Sequence, residues 1–213
     1  MVAMRKTRVH DEKGNLAPPR ELIRLPIIFI EAALRRSTGR RPTRPLLPHS
    51  VTKWLKDILN PNSFVIEFGS GASTVWLAQR VGKLWSYETD PIWFDRITQN
   101  LSQKNITNTS LRSWEGDMPE MPDLTPDLII IDGHRRDICS EYATQAAGSK
   151  TRIILDNSDN DVFPFDPELE MRRSEKHLIE FAKKTDRLVE YKTGFAPAQL
   201  YAEQSMLVGI SPR

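Results

Sequence analysis

A glycine turn near residue 70 follows an apolar run and comes before a segment with helical character. Residues 65–74 read VIEFGSGAST, and residues 74–80 read TVWLAQR. Glycine permits positive φ, and its missing Cβ lets a ligand lie against the backbone. The free N–H groups at the start of the following helix favour a negatively charged ligand group. Gly69, Ser70 and Gly71 therefore predict a loop that binds a nucleotide-type cofactor.

The spacing around this loop narrows the cofactor class. Glu88 ends the next predicted strand, 19 positions after Gly69, where a carboxylate suits the two hydroxyls of a ribose. Thr74 stands where the dinucleotide fingerprint has its third glycine, which disfavours a nicotinamide dinucleotide. No Lys-Ser or Lys-Thr pair follows the glycines, so a P-loop is excluded.

A second group of polar side chains follows two later apolar runs. Asp132 comes after three isoleucines, and the pair Asp156 and Asn157 comes after the run IIL. Two carboxylates and an amide oxygen are hard ligands that suit Mg²⁺. The alternative is that these residues only cap strand ends or order loops, and both interpretations stay open. His134 follows Asp132 closely and is a candidate general base, because histidine titrates near neutral pH.

These polar residues all fall at the ends of predicted strands. Strands are predicted at residues 63–68, 84–88, 109–113, 127–132 and 152–156, with a terminal hairpin at 187–193 and 205–210. Helical segments lie between the strands, and Asp90-Pro91 begins one of them over residues 91–103. Alternating strands and helices imply a mostly parallel sheet with helices on both faces. Such a sheet binds its ligand outside the carboxyl ends of the strands, where the strand order reverses.

The order of these elements resembles that of the class I S-adenosylmethionine-dependent methyltransferases. The acidic residue and glycines of Glu67-x-Gly69-x-Gly71 are similar to their first motif. Residues 84–94, 114–117, 126–133 and 152–157 are similar to the segments around their second to fifth strands. Within the family, the loop looks closer to a bacterial group with the pattern EFGSGxST. The resemblance covers residues 50–210. It implies an α/β, Rossmann-like, doubly wound fold whose seven-stranded sheet is mostly parallel, with helices on both faces and an antiparallel last strand.

The resemblance implies S-adenosylmethionine as the cofactor and assigns contacts to its amino-acid end. Gly71, Ser73 and Thr74 are expected to donate to the carboxylate, while Ser73 and Thr74 also suit helix capping. The carbonyl of Gly69, or a water held by Glu67, is expected to accept from the amino group.

The nucleoside end is expected to contact later residues. Glu88 would bind the ribose, and Asp117 would accept from the adenine amino group. The alternative for Asp117 is an ordinary loop turn residue. Trp114, three residues earlier, is expected to approach the adenine ring.

Asp132 and the Asp156-Asn157 pair resemble the positions at which catechol-type O-methyltransferases bind a divalent metal. In that family the metal lowers the pKa of the acceptor hydroxyl and holds its oxygen in line with the sulfonium methyl. The family's lysine base is replaced by Arg135, which stays protonated and is a poor base. The resemblance therefore implies Mg²⁺ as a second cofactor, against the alternative that these residues only order the loops. His134, beside Arg135, is the residue that could take the proton instead of the family's lysine, or it is a neighbour of the metal, and the predicted catalytic residues are His134 and Asp132.

The composition is that of an ordinary globular enzyme. Hydrophobic residues make up 39% and charged residues 27% of the 213-residue chain. The single cysteine, Cys139, excludes internal disulfides and indicates a reducing compartment. No apolar run approaches the roughly 20 residues of a membrane span, and no signal-peptide pattern is present. The predicted location is cytoplasmic.

Charge divides the chain into a basic arm with a helix, residues 1–49, and a methyltransferase domain, residues 50–213. Residues 1–50 contain 11 Lys and Arg against 4 Asp and Glu, a net charge of +7, and the remainder has −5. The arm either packs against the acidic body or contacts an anionic acceptor, a membrane surface or nucleic acid. It lacks interleaved aromatic residues, so no nucleic-acid partner is expected.

A helix predicted over residues 21–36 is apolar nearly all round, with Pro26 as a kink or as its true start. Such a helix is buried against the domain or against a second subunit, or lies on a membrane. It therefore indicates a homo-oligomer as one of the alternatives.

The favoured function is methylation of an oxygen atom on a small-molecule or sugar-like acceptor, with Asp132, Asp156 and Asn157 holding either a metal or the acceptor. Two alternatives remain. One is an NAD-dependent oxidoreductase on a Rossmann-like sheet, and the other is a non-catalytic methyltransferase-fold scaffold that binds a partner. Methylation of nucleic-acid bases is not expected, because residues 132–135 read DGHR where such enzymes have an Asn/Asp-Pro-Pro-Tyr motif.

Overall fold

The computed structural model describes residues 6–39, 42–115, 118–160 and 169–210, and this part of the chain contains seven strands and seven helices. The strands are β1 Phe64–Phe68, β2 Lys83–Glu88, β3 Thr109–Ser113, β4 Leu128–Ile131, β5 Arg152–Leu155, β6 Val189–Phe195 and β7 Ala202–Val208. The helices are α1 Pro19–Leu22, α2 Leu25–Thr38, α3 His49–Ile58, α4 Ala72–Ala78, α5 Pro91–Gln103, α6 Arg136–Ala146 and α7 Glu170–Lys184.

The strands form one sheet in the order β3-β2-β1-β4-β5-β7-β6. Pairings among β1 to β5 are parallel, and β7 is antiparallel to both of its neighbours. This arrangement confirms the predicted fold class. The strand order reverses at β1, which lies between β2 and β4, so a ligand-binding crevice is expected above the carboxyl ends of these three strands.

Most predicted elements agree with the structure at their centres and differ at their ends. The helix predicted over 91–103 is α5, and the Asp90 side chain accepts hydrogen bonds from the N–H groups of Ile92 and Trp93 at 2.8 and 3.0 Å. The terminal hairpin differs by two to three residues, because its register is set by pairing between β6 and β7 rather than by local sequence.

The central strands are buried on both faces, which explains their continuous apolar runs. Ile129 and Ile131 pack on one side with residues of α6 and α7 such as Tyr142 and Leu178. Ile130 faces the other side and packs with residues of α3 and α4. A parallel strand covered by helices on both faces requires this composition.

The N-terminal segment before α1 packs against β6 and β7. Asp11 is fully buried and accepts hydrogen bonds from the Thr193 hydroxyl at 2.8 Å and the Gln204 amide at 3.0 Å. Ala17 is also fully buried. The described part of this basic segment is therefore held by specific polar contacts to the end of the sheet.

Two helices, α1 and α2, stand where one helix was predicted over residues 21–36. Pro26 lies in the first turn of α2 and marks its start rather than a kink. Ile28 is the buried residue of α2, and the outward side of the helix is exposed. Among the described residues, no helix combines the length and apolar character that crossing a membrane requires.

Candidate functional site

The loop after β1 passes directly against the loop after β4. Gly69 has φ 94°, and a Cβ built on it would lie 2.7 Å from the backbone carbon and oxygen of Asp132. A Cβ on Gly133 would lie 2.9 Å from the Gly69 nitrogen. Both positions therefore exclude a side chain. Sequence reasoning assigned no role to Gly133, since a glycine after a strand has many local explanations.

A buried carboxylate supports the glycine loop from below. Glu67 is fully buried, and its Oε2 accepts hydrogen bonds from the hydroxyls of Thr74 at 2.6 Å and Ser86 at 2.7 Å. Thr74 Oγ1 in turn accepts from the Gly71 N–H at 2.8 Å. Burial raises the pKa of Glu67. Glu67 and Thr74 thus hold the loop in place, and the N–H of Gly71 is already bonded within the protein.

Glu88 is buried at the end of β2, with its carboxylate bonded to the neighbouring backbone. Oε1 accepts from the N–H groups of Thr89 and Asp90, both at 2.9 Å. Oε2 accepts from the Ser70 N–H at 3.1 Å and the Ser70 hydroxyl at 2.7 Å. A carboxylate has about four lone-pair positions, so a ribose hydroxyl that binds Glu88 competes with Ser70.

Two tryptophans near the loop have different environments from those expected. Trp114 is 8% exposed and packs in the core, with its ring centroid 5.8 Å from that of Phe68. It is not among the residues that line the cleft, so the expectation that Trp114 approaches adenine is not supported. Trp93 lines the cleft instead, and its indole N–H donates to the Ser70 carbonyl at 2.5 Å. The sequence analysis did not single out Trp93 as a site residue.

A cleft of about 1140 Å³ opens above the carboxyl ends of β1, β2 and β4. This volume exceeds the range of about 300–1,000 Å³ that is usual for one small-molecule ligand. The predicted site residues on its walls are Gly69, Ser70, Gly71, Ser73, Glu88, Asp132 and His134. The structure therefore brings together predicted residues from three strand ends in one cavity with space for two ligands.

The other predicted site residues lie elsewhere. Glu67 and Thr74 are buried beneath the loop, and Asp156 is 1% exposed at the end of β5. Asp117 lies outside the described residues, so its predicted contact with adenine stays a prediction.

The end of β4 contributes a carboxylate and an imidazole to the cleft. Burial raises the pKa of Asp132 to about 6, while the positive charge of Arg136 acts in the opposite direction. His134 is exposed on the cleft wall, two residues farther along. Asn160, after β5, and Glu170 and Met171, at the start of α7, also line this side of the cleft.

The three residues predicted to bind Mg²⁺ surround an arginine side chain. The Arg136 guanidinium lies 3.4 Å from Asp132 Oδ1 and 3.3 Å from Asn157 Oδ1, and it donates to the Asp156 carbonyl at 2.5 Å. Asp156 Oδ1 accepts from the Ser205 hydroxyl at 2.5 Å. Burial raises the pKa of Asp156, and the charge of Asp132 raises it further.

This donor set does not fit a divalent metal. Within the described ranges, no third carboxylate, histidine or cysteine joins Asp132 and Asp156, so Asn157 would have to be the third protein ligand. The side chains of Asp132 and Asn157 direct acceptor oxygens at a fixed positive charge. Sequence reasoning missed Arg136. Asp132 follows β4 and Arg136 begins α6, so their contact depends on the path of the loop between them and not on a shared helical turn.

Neither a protein-family model nor a curated protein sequence matches this chain. Solved structures do match it. The O-methyltransferase TomG from Streptomyces achromogenes, involved in tomaymycin synthesis and determined in complex with SAM, has a TM-score of 0.62 and 14% identity, over 87% of this chain and 89% of that one.

Two further solved structures are similar to the same extent. The O-methyltransferase from Bacillus cereus in complex with SAH has a TM-score of 0.60 and 16% identity, over 88% of this chain and 90% of that one. Cofactor-bound Rv0187 from MTB has a TM-score of 0.63 and 15% identity, over 88% and 91%. At these identities the likeness shows a shared fold.

Proposed function

We propose that this protein is an S-adenosylmethionine-dependent methyltransferase that acts on an oxygen atom of a small-molecule acceptor. Residues 50–213 would form the catalytic domain and residues 1–49 an arm attached to it. The observation that carries the proposal is the cleft at the reversal of strand order, where a side-chain-free loop at Gly69 adjoins the carboxylate of Glu88. The structural relatives with bound SAM or SAH support the same donor.

The donor would lie along the loop after β1. Glu88 would bind the ribose hydroxyls after Ser70 releases one carboxylate oxygen. The Gly69 carbonyl would accept from the amino group of the methionine part. Since the Gly71 N–H is held by Thr74, Ser73 on the cleft wall is the residue that we assign to the donor carboxylate. Asp117 is retained as the proposed partner of the adenine amino group.

The acceptor would enter on the side of Asp132 and His134. Its hydroxyl oxygen attacks the sulfonium methyl in line, a C–O bond forms as the C–S bond breaks, and S-adenosylhomocysteine leaves. His134 would take the hydroxyl proton, and the Asp132 carboxylate would orient the hydroxyl by accepting its hydrogen bond. The volume of the cleft supports simultaneous binding of both molecules.

Isothermal titration with S-adenosylmethionine and S-adenosylhomocysteine tests this proposal. Glu88→Gln should weaken both ligands by about 10-fold to 100-fold, since one or two charge-assisted hydrogen bonds are lost. Glu190→Gln is the control, because Glu190 is exposed on β6 and pairs with Lys192 away from the cleft. NAD should not bind in the same assay. Wild-type protein that binds neither sulfur ligand at about 1 mM, corresponding to roughly −4 kcal/mol, would overturn the proposal.

We also propose that α2 joins two copies of the chain. Ile23, Ile27, Ile30 and Leu34, here called the α2 stripe, are 79%, 54%, 61% and 56% exposed. Ile27, Ile30 and Leu34 lie along one line of α2, as in a helix–helix seam, and Ile23, which precedes α2, lies four residues before Ile27. The intervals between the four residues of the stripe are four, three and four when counted from either end. Two antiparallel copies would therefore bring Ile23 opposite Leu34 and Ile27 opposite Ile30. A two-fold interface requires such self-complementarity.

A further inference from the structure

Arg136 bridges the ends of β4 and β5 with all three nitrogens of its guanidinium. Nε donates to the Gly133 carbonyl at 2.9 Å, one terminal nitrogen donates to the Asp156 carbonyl at 2.5 Å, and the other contacts Asp132 Oδ1 and Asn157 Oδ1 at 3.4 and 3.3 Å. The side chain is 14% exposed. A permanent cation is thus enclosed by four oxygen acceptors.

The same oxygens are unsuited to bind a metal at the same time. Mg²⁺ requires ligand oxygens at about 2.1 Å in near-octahedral geometry, whereas the lone pairs of Asp132 and Asn157 face the guanidinium. Arginine does not lose its proton in proteins, so its charge also repels an incoming dication. The remaining predicted ligand is Asp156, whose Oδ1 accepts a hydrogen bond from the Ser205 hydroxyl.

Arg136 lies at a position of α6 where a positively charged side chain is usually disfavoured. It is the first residue of α6, where the helix dipole disfavours positive side chains. The enclosing oxygens of Asp132, Gly133, Asp156 and Asn157 compensate this cost locally. A residue that departs from a local rule while making specific buried contacts indicates a requirement of the site.

We infer that the Arg136 guanidinium supplies the positive charge at the cluster of Asp132, Asp156 and Asn157, where the sequence predicted Mg²⁺. We infer also that the protein works without a divalent metal. Arg136 is a positioning residue. It holds the Asp132 carboxylate at the cleft wall and neutralises charge between the ends of β4 and β5. The statement about metal-free turnover rests on the proposed methyltransferase function, and the statement about the cluster does not.

Mn²⁺ titration of the full chain without donor or acceptor tests the cluster directly. Wild-type protein should show no specific Mn²⁺ binding. Arg136→Ala should bind one Mn²⁺ per chain at least about tenfold more tightly than wild type, because the repelling charge is gone. Adding Asp156→Asn to this variant should abolish that binding. Arg173→Ala, which removes an exposed arginine paired with half-buried Asp137, is the control and should bind none.

Two results overturn the inference. One is stoichiometric Mn²⁺ binding by wild-type protein that Asp132→Asn removes, and the other is a folded Arg136→Ala variant that binds no Mn²⁺. If Arg136→Ala does not fold, the wild-type titration still decides, and Arg136→Lys supplies a conservative variant that should remain metal-free. Once turnover is established, wild-type activity should be unchanged by EDTA. Loss of activity in EDTA with recovery in Mg²⁺ also contradicts the inference.

Discussion

Gly69 and Gly133 lie back to back, and neither position has room for a Cβ. The Cβ of an alanine at 133 would lie 2.9 Å from the nitrogen and 3.1 Å from the Cα of Gly69. These neighbours are backbone atoms that cannot rotate away. The contact joins the loop after β1, on the proposed donor side of the cleft, to the loop after β4, on the proposed acceptor side. The separation of these two loops therefore depends on both glycines.

Gly133→Ala should therefore destabilise the protein by about 1–3 kcal/mol, as overpacking does, and weaken binding of S-adenosylmethionine. Urea unfolding and isothermal titration measure the two effects. Gly209→Ala is the matched control, because its added Cβ would meet the Leu188 carbonyl only at 3.9 Å. Equal stability of the two variants would contradict the close approach.

Ser70→Ala should tighten binding of S-adenosylmethionine. The Ser70 hydroxyl occupies Glu88 Oε2 at 2.7 Å, and a ribose must displace it. Removing a bond worth about 0.5–1.5 kcal/mol should raise affinity by roughly 2-fold to 10-fold. Isothermal titration measures this change. Weaker binding by Ser70→Ala than by wild type would show that the hydroxyl contacts the donor instead.

Glu67→Gln should change how stability depends on pH. Burial raises the pKa of Glu67 above its ordinary 4.5, so the folded state holds the proton more tightly than the unfolded state does. The stability that Glu67 contributes is fully present below pH 4.5 and is lost as pH rises through the folded pKa. A glutamine cannot ionise, so the stability of Glu67→Gln relative to wild type should rise as the pH increases above 4.5.

Urea unfolding of wild type and Glu67→Gln at a series of pH values below and above 4.5 provides the measurement. The glutamine oxygen can accept from both Thr74 and Ser86, as Glu67 Oε2 does. The comparison therefore isolates ionisation from loss of these hydrogen bonds. A difference in unfolding free energy that stays constant with pH would show that Glu67 has an unperturbed pKa.

His134→Gln should lower kcat while leaving donor affinity unchanged. A general base contributes about 10²-fold to 10⁴-fold to a proton-transfer step, and His134 lies on the acceptor side of the cleft. His177→Gln is the control, since His177 bonds to the Thr144 hydroxyl at 3.0 Å between α6 and α7. Full activity of His134→Gln would assign proton removal to Asp132 or to solvent.

Aspartate substitutions on the α2 stripe should separate the proposed dimer. Ile27→Asp with Ile30→Asp places two charges at the centre of the interface, and light scattering after size exclusion should report a monomer. Ile92→Asp is the control, because Ile92 is 81% exposed on α5, outside the stripe. A wild-type protein that is monomeric at high concentration would exclude this interface.

Local sequence determined the order and type of the elements. The apolar run before Gly69, the isoleucines before Asp132 and the Asp90-Pro91 start of α5 each act over a few neighbouring residues. Strand periodicity, glycine conformation and N-capping are short-range effects, so a single sequence displays them. The parallel arrangement of the predicted strands was enough to place the carboxylates of Glu88 and Asp132 near each other, because parallel strands end on the same edge of the sheet.

Tertiary structure decided which partner each polar group has and which faces remain exposed. Arg136 contacts Asn157 although the two are 21 positions apart. The sequence pattern alone could not show that a guanidinium, and not Mg²⁺, would be the positive group beside Asp132 and Asn157. Trp93 faces the cleft while Trp114 joins the core, although each follows soon after the end of a strand. One side of α2 stays uncovered, because burial depends on the surfaces that the whole sheet presents. These outcomes rest on contacts between distant segments, and such contacts exist only after the chain has packed.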